Sequence, residues 1–89
     1  MYKICSNIIL TDLNGEMVAS RRNDPAGNIL VVFNEIGQLV IRHLANNHTV
    51  EIIVEDIYKR TGMTKEVIGR DILAFLNQLV HAGIIEVCG

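Results

Sequence analysis

At Asn34 the hydrophobic pattern of this 89-residue chain changes period. Before it, apolar residues alternate or run together in short β-prone stretches. After it, they recur about every 3.6 residues, as on one face of a helix. A chain whose strands come first and whose helices follow cannot weave them into a parallel sheet, which needs the two to alternate. The pattern therefore predicts an α+β fold in a single domain spanning residues 1–89.

In the N-terminal part, Asn14-Gly15 lies between two β-prone runs in "NIILTDLNGEMVAS". Both residues tolerate the positive φ of a type I′ turn, so the spacing predicts a hairpin with a two-residue loop. That loop pairs Leu13 with Glu16, Thr11 with Val18, Leu10 with Ala19 and Ile9 with Ser20. Ile8, Leu10, Met17 and Ala19 then share one face, taken as the core face. A loop, "SRRNDPAG", leads to a third strand over Asn28 to Phe33. Its apolar run, Ile29-Leu30-Val31-Val32-Phe33, is too short for a helix and has no polar alternation. Strict alternation puts Ile29, Val31 and Phe33 on one face and Leu30 and Val32 on the other. Such a run belongs either to a strand buried on both faces or to an edge that receives another strand.

Three helices follow. Asn34 N-caps the first, with Glu35 in its first turn and Ile36, Leu39, Val40 and Leu44 on its apolar face. Thr49 caps the second, whose stripe is Val50, Ile53, Val54 and Ile57, and Gly62 ends it in the left-handed region. Thr64 caps the third and longest, lined by Ile68, Ile72, Phe75, Leu76 and Leu79. Gly83 stops that helix and "IIEV" trails as an extended tail. Three helices beside a small antiparallel sheet predict a winged helix-turn-helix-like shape.

Composition narrows the function. The chain is 49% apolar, almost all Ile, Leu and Val, with no Trp. A domain of this size cannot hide that much apolar surface, so part of it is expected as a contact patch. Net charge is −2, with acidic and basic residues dispersed, which attracts neither nucleic acid nor an anionic membrane. No signal peptide or membrane-spanning run is expected, and the reading is cytoplasmic. Cys5 and Cys88 lack metal-ligand spacing, and His43, His48 and His81 do not supply it, so no metal and no cofactor are expected. Two reduced thiols are expected; a terminus-to-terminus disulfide is the alternative.

The ordered segments "FNEIGQLVIRHL", "TVEIIVEDIYKRTGM" and "RDILAFLNQLVHAGIIEV" resemble the family of coenzyme PQQ synthesis protein D. The likeness is carried by Asn34-Glu35-Ile36-Gly37, by Thr49-Val50-Glu51, and by Asp71-Ile72, Phe75-Leu76, Leu79 and Gly83-Ile84. The resemblance implies a recognition element for ribosomally made, modified peptides. It implies a module without catalytic residues that binds the leader segment of a precursor peptide as a fourth strand, antiparallel to the third strand and beside the third helix. It also implies that the module presents the peptide to a modifying enzyme, a radical SAM enzyme or a protease. His43 departs from the family's usual aliphatic residue; a packed ring with one solvated nitrogen is expected there.

On this reading the peptide-binding residues are Asn28, Ile29, Leu30, Val31, Val32 and Phe33 on the strand. Val67, Arg70, Asp71, Ala74 and Gln78 on a flank of the third helix complete the set. The alternatives are a winged-helix DNA-binding regulator, an enzyme, and a dimerisation module. The third helix balances Lys65 and Arg70 against Glu66 and Asp71, which suits DNA poorly. There is no Gly-rich phosphate loop and no recognisable catalytic motif, which weakens the enzyme reading. A homodimer through the same strand competes for the edge.

Overall fold

In a computed structural model describing residues 1–88, the chain forms β1 (Tyr2–Ile4), β2 (Ile8–Leu13), β3 (Glu16–Arg21) and β4 (Ile29–Phe33). Helices α1 (Glu35–Ala45), α2 (Val50–Thr61) and α3 (Lys65–His81) follow, and then β5 (Ile85–Val87). The fold is α+β, and β2-β3-β4 is the antiparallel sheet expected from the sequence. The β2–β3 register is the one the Asn14-Gly15 turn dictates, from Leu13 opposite Glu16 to Ile8 opposite Arg21. Both turn residues have positive φ, 55° and 86°. Asp12 Oδ1 accepts from the Gly15 N–H at 3.0 Å and holds the turn.

One pairing was not legible. The tail after Gly83 is not free: β5 pairs antiparallel with β1, Tyr2 opposite Val87 and Ile4 opposite Ile85. The ends are clasped further by the Cys88 N–H donating to the Met1 carbonyl at 2.7 Å and the Cys5 N–H donating to the Ile84 carbonyl at 2.9 Å. Cys5 and Cys88 are free thiols, and burial pushes the Cys5 thiol up.

All three helices begin at the expected caps. Asn34 Oδ1 accepts from the Gly37 N–H at 2.8 Å, and the Thr49 and Thr64 hydroxyls accept from the Ile52 and Val67 N–H groups. Gly62 ends α2 at φ 72°, and Gly83 follows α3 at φ 76°, conformations that side chains strain to adopt. The core is one cluster: Val40, Ile41, Leu44, Ile53 and Ile57 from α1 and α2 meet Ile68, Ile72, Leu76 and Leu79 from α3. Ile8, Ala19 and Phe33 join it from the three-stranded sheet, and Ile84 and Ile85 from the tail. Leu10 and Met17 pack on it half-buried, so the predicted core face of the hairpin holds.

Two details of the expected packing change. On α1 the buried arc is Gly37, Val40, Ile41 and Leu44, while Ile36 in the first turn is 45% exposed. On β4 alternation breaks, because Ala19 pairs with Val31 while Ser20 pairs with Ile29. That leaves Leu30 as an extra residue in a β-bulge. Leu30 and Val31 therefore both pack against the core with Phe33, and Ile29 and Val32, each 52% exposed, face outward.

Among the described residues no helix is long and apolar enough to cross a membrane. Nor does any group of three or more His, Cys, Asp or Glu side chains there stand ready to hold a metal ion.

Candidate peptide-docking site

β4 is an edge strand, with β3 on one side and no strand on the other among the described residues. Which of its backbone groups are free follows from the hairpin. A two-residue loop makes Leu13–Glu16 a hydrogen-bonded pair, and such pairs alternate along an antiparallel ladder. The even-numbered residues of β3 therefore bond to β2, a parity continued by the Arg22 N–H donating to the Asn7 carbonyl at 2.7 Å. The odd-numbered residues, Met17 and Ala19, turn to β4 and bond to Phe33 and Val31. The N–H and C=O of Val32 consequently point to the open edge. An extended peptide placed there would find unpaired donors and acceptors.

At the C-terminal end of that edge the chain makes an apolar hollow. Phe33 meets Phe75 of α3 edge to face, ring centroids 6.2 Å apart. α1 approaches both rings at Gly37, where a Cβ would stand 3.3 Å from each and 3.2 Å from Asn34 Oδ1. The absence of a side chain there is what opens the hollow, about 190 Å³, lined by Asn34, Ile36, Gly37, Val40, Asp71, Ile72 and Phe75. A second hollow, about 150 Å³, shares Ile36, Asp71 and Ile72 and continues towards Ile57, Met63 and Ile68.

The expected binding residues distribute unevenly over this surface. Ile29 and Val32 present side chains outward, and Val32 also presents its backbone. Leu30 and Val31 are half-buried inward, and Phe33 is a core residue whose ring forms a floor. Asn28 lies just before the strand, its N–H donating to Asp24 Oδ2 at 3.1 Å. On α3, Asp71 lines both hollows. Val67 is half-buried in the first turn, and Ala74 and Gln78 are exposed, but none of the three lines either hollow. Arg70 lines neither as well; its Nε lies 3.9 Å from Asp71 Oδ1 with the side chain mostly in solvent.

Sequence reasoning assigned Phe75, Ile36 and Ile72 to the core stripe and so missed them as lining. The signal for Phe75 was present: it sits one turn after Asp71, on the same flank of α3.

A separate polar cluster ties α1 to α2. His43 Nε2 is 2.6 Å from Asp56 Oδ2, and His43 Nδ1 is 2.8 Å from His48 Nδ1. Arg60 Nε donates to Asp56 Oδ1 at 2.8 Å. Both ring nitrogens of His43 are engaged, which corrects the expectation of one solvated nitrogen. The hydrogen bond from His43, and then that from Arg60, hold the Asp56 carboxyl below the usual range. A hollow of about 350 Å³ on the outer face of α2 is lined by side chains of that helix alone and has no backbone edge beside it.

Comparison with known proteins agrees with this architecture. The chain superposes on the solved structure of TbiB1 in complex with the TbiA(beta) leader peptide with a TM-score of 0.84, at 20% identity over 98% of each chain. It superposes on lasso peptide synthetase B1 complexed with the leader peptide with a TM-score of 0.85, at 16% identity over 97% of this chain and 98% of the other. At such identities the likeness is one of fold. No curated protein sequence matches significantly. The profile of the family described as coenzyme PQQ synthesis protein D (PqqD) matches residues 22–85, from the end of the hairpin into β5. The chain belongs to the coenzyme PQQ synthesis protein D family.

Proposed function

We propose that this chain is a non-catalytic leader-peptide-binding protein of a ribosomal peptide modification pathway. It takes the precursor leader as a fourth strand, antiparallel to β4, and presents the rest of the precursor to a modifying enzyme, a radical SAM enzyme or a protease. The observation that carries the reading is the open edge at Val32 running into the hollow between α1 and Phe75. Main-chain pairing would give affinity with little sequence dependence, and the hollow would give selectivity. Two structural neighbours that match over nearly their whole length are complexes with leader peptides, which supports the same use of this fold.

The α2-turn-α3 arrangement beside the β2–β3 hairpin is winged helix-turn-helix-like in this reading, and the setting is cytoplasmic. DNA binding has little support. Lys65 is paired with Glu55 at 2.6 Å and lies over the Tyr58 ring, so Arg70 is left to serve as the cation of a recognition helix. A second copy of the chain is the competing occupant of the edge, since Ile29 and Val32 are exposed.

The test is an amide-resolved NMR titration with the leader of a precursor peptide encoded beside the gene. Saturable shifts are expected over Ile29–Phe33 and around Asp71 and Phe75. A well-folded, monomeric protein showing no shifts there with any such leader would remove the proposal.

A further inference from the structure

The two hollows beyond β4 are adjacent parts of one trough. They share Ile36, Asp71 and Ile72; Phe75 closes one end and Met63 lies at the other. Ile36 and Met63 are 45% and 44% exposed, so the trough rim is apolar surface left in water, above a floor of buried Ile57, Ile68 and Ile72. An apolar cavity of about 150 Å³ is known to accept benzene. Hollows of about 190 and 150 Å³ are therefore each the size for one aromatic or branched aliphatic side chain.

Their lining is almost free of charge. Among the described residues, Asp71 is the one ionisable side chain in either hollow, and it lies in the part they share. Its nearest cation is Arg70, at 3.9 Å, the outer limit of an ion pair, on a side chain that is mostly solvated. Arg70 thus leaves the carboxylate's acceptor capacity largely unused.

We infer that Asp71 sets the charge preference of the docked peptide: the trough takes a segment with two large apolar residues bracketing a Lys or Arg. This rests on the leader-binding function proposed above. The apolar side chains fill the two hollows, and the cation between them reaches the carboxylate on their common rim. An acidic residue at the same place meets Asp71 with no compensating cation in the lining, so the site rejects as well as selects. The position of the bracket also follows. An antiparallel strand lays its N-terminal side at the C-terminal end of β4, where the trough begins, so the bracket precedes the residues that pair with Val32.

The experiment uses the full chain and a display library of random twelve-residue peptides, selected on the wild type, Asp71→Asn and Asp71→Lys. Representative synthetic peptides with Lys, Gln or Glu at the bracketed position are then titrated by fluorescence anisotropy and amide NMR. The wild type is expected to enrich Lys or Arg between two large apolar residues. Asp71→Lys should reverse the sign to Asp or Glu, and Asp71→Asn should lose the charge preference. Because Asp71 is exposed, the Lys-to-Glu exchange should weaken wild-type binding by about three- to tenfold, and less at high salt.

Enriched peptides that shift Ile29–Phe33 but carry the same charge preference for wild type and Asp71→Lys overturn the role of Asp71 and leave strand docking intact. If no peptide shifts Ile29–Phe33, strand docking itself fails, and this inference with it. Sedimentation showing a dimer that enriched peptides cannot dissociate assigns the trough to a second copy and also overturns it.

Discussion

His43 carries the most residue-level chemistry outside the trough. If Nε2–H donates to Asp56 and the ring is neutral, Nδ1 has only a lone pair, so His48 Nδ1 must supply the proton across 2.8 Å. The chain His48 to His43 to Asp56, closed by Arg60, pins the α1–α2 loop to both helices. The carboxylate is the anchor. Its pKa is lowered in the folded chain, so its contribution to stability is complete above the unfolded value of about 3.9. That contribution is lost as pH falls through the lower folded value. Asp56→Asn should therefore lower the urea midpoint at neutral pH. The gap from wild type should close once the pH falls well below about 4. A gap of constant size down to acid pH would show that the carboxylate is not the source. The sequence showed His43 in an apolar stripe and gave no sign of its partners. Asp56 is thirteen residues away, and only the α1–α2 packing angle brings the two together.

At the scale of one element, β4 separates what local rules can foresee from what they cannot. Its existence, its place as the third strand of the sheet and its pairing to the hairpin were all legible, because a Val/Ile run after a hairpin has one simple place to go. Its facing was not. The bulge at Leu30 turns Leu30 and Val31 both inward, and a register shift between two strands leaves no mark in the sequence of either.

The correction decides which proline is informative. Val31 bonds to Ala19 and packs inward, so Val31→Pro should remove a ladder bond and cost about 3 kcal/mol or more, a large share of the stability of a domain this small, which confounds any loss of binding. Val32 donates to the open edge, where proline is tolerated. Val32→Pro should give a folded chain, by its amide spectrum, that binds leader at least about tenfold more weakly, having lost an edge donor worth more than 1 kcal/mol in the complex. Undiminished binding by folded Val32→Pro would contradict the hydrogen-bond parity derived from the Asn14-Gly15 turn.

Gly37 offers a complementary test at the α1 end of the same edge. An added Cβ gains helix propensity of up to about 1 kcal/mol but presses on Asn34 Oδ1 and both phenyl rings at 3.2–3.3 Å. Gly37→Ala should change the urea midpoint little and weaken leader binding, because Phe75, the less buried ring, yields into the hollow.

For the whole molecule, the feature hardest to read was the clasp that joins the ends. β1 and β5 are three residues each, and their pairing spans more than eighty residues of chain. No periodicity shows in strands so short, and nothing local says that "YKI" and "IEV" should meet. What specifies the meeting is the core: Ile84 and Ile85 are completely or almost completely buried, and β1 covers the strand that delivers them. The exposed Lys3–Glu86 pair at 3.2 Å adds register at the surface and little stability.

The molecule thus divides its apolar residues between two tasks. Those of the clasp and the helix interior hold the fold, and the exposed ones on the β4 edge and the trough rim, Ile29, Val32, Ile36 and Met63, remain available. If the division is real, stability and binding should be separable by mutation. Ile85→Ala should cost about 2–5 kcal/mol in urea unfolding, as a large-to-small change in a closed core does. Its leader affinity, measured where the variant is still folded, should stay within about twofold of wild type, since Ile85 lines neither hollow. Ile36→Ala should do the reverse. Being half in water it should cost well under 2 kcal/mol of stability, yet it removes the wall common to both hollows and should weaken leader binding several-fold. Parallel losses of stability and affinity in both variants would mean that the trough is simply part of the core, and that the exposed apolar surface has some other use.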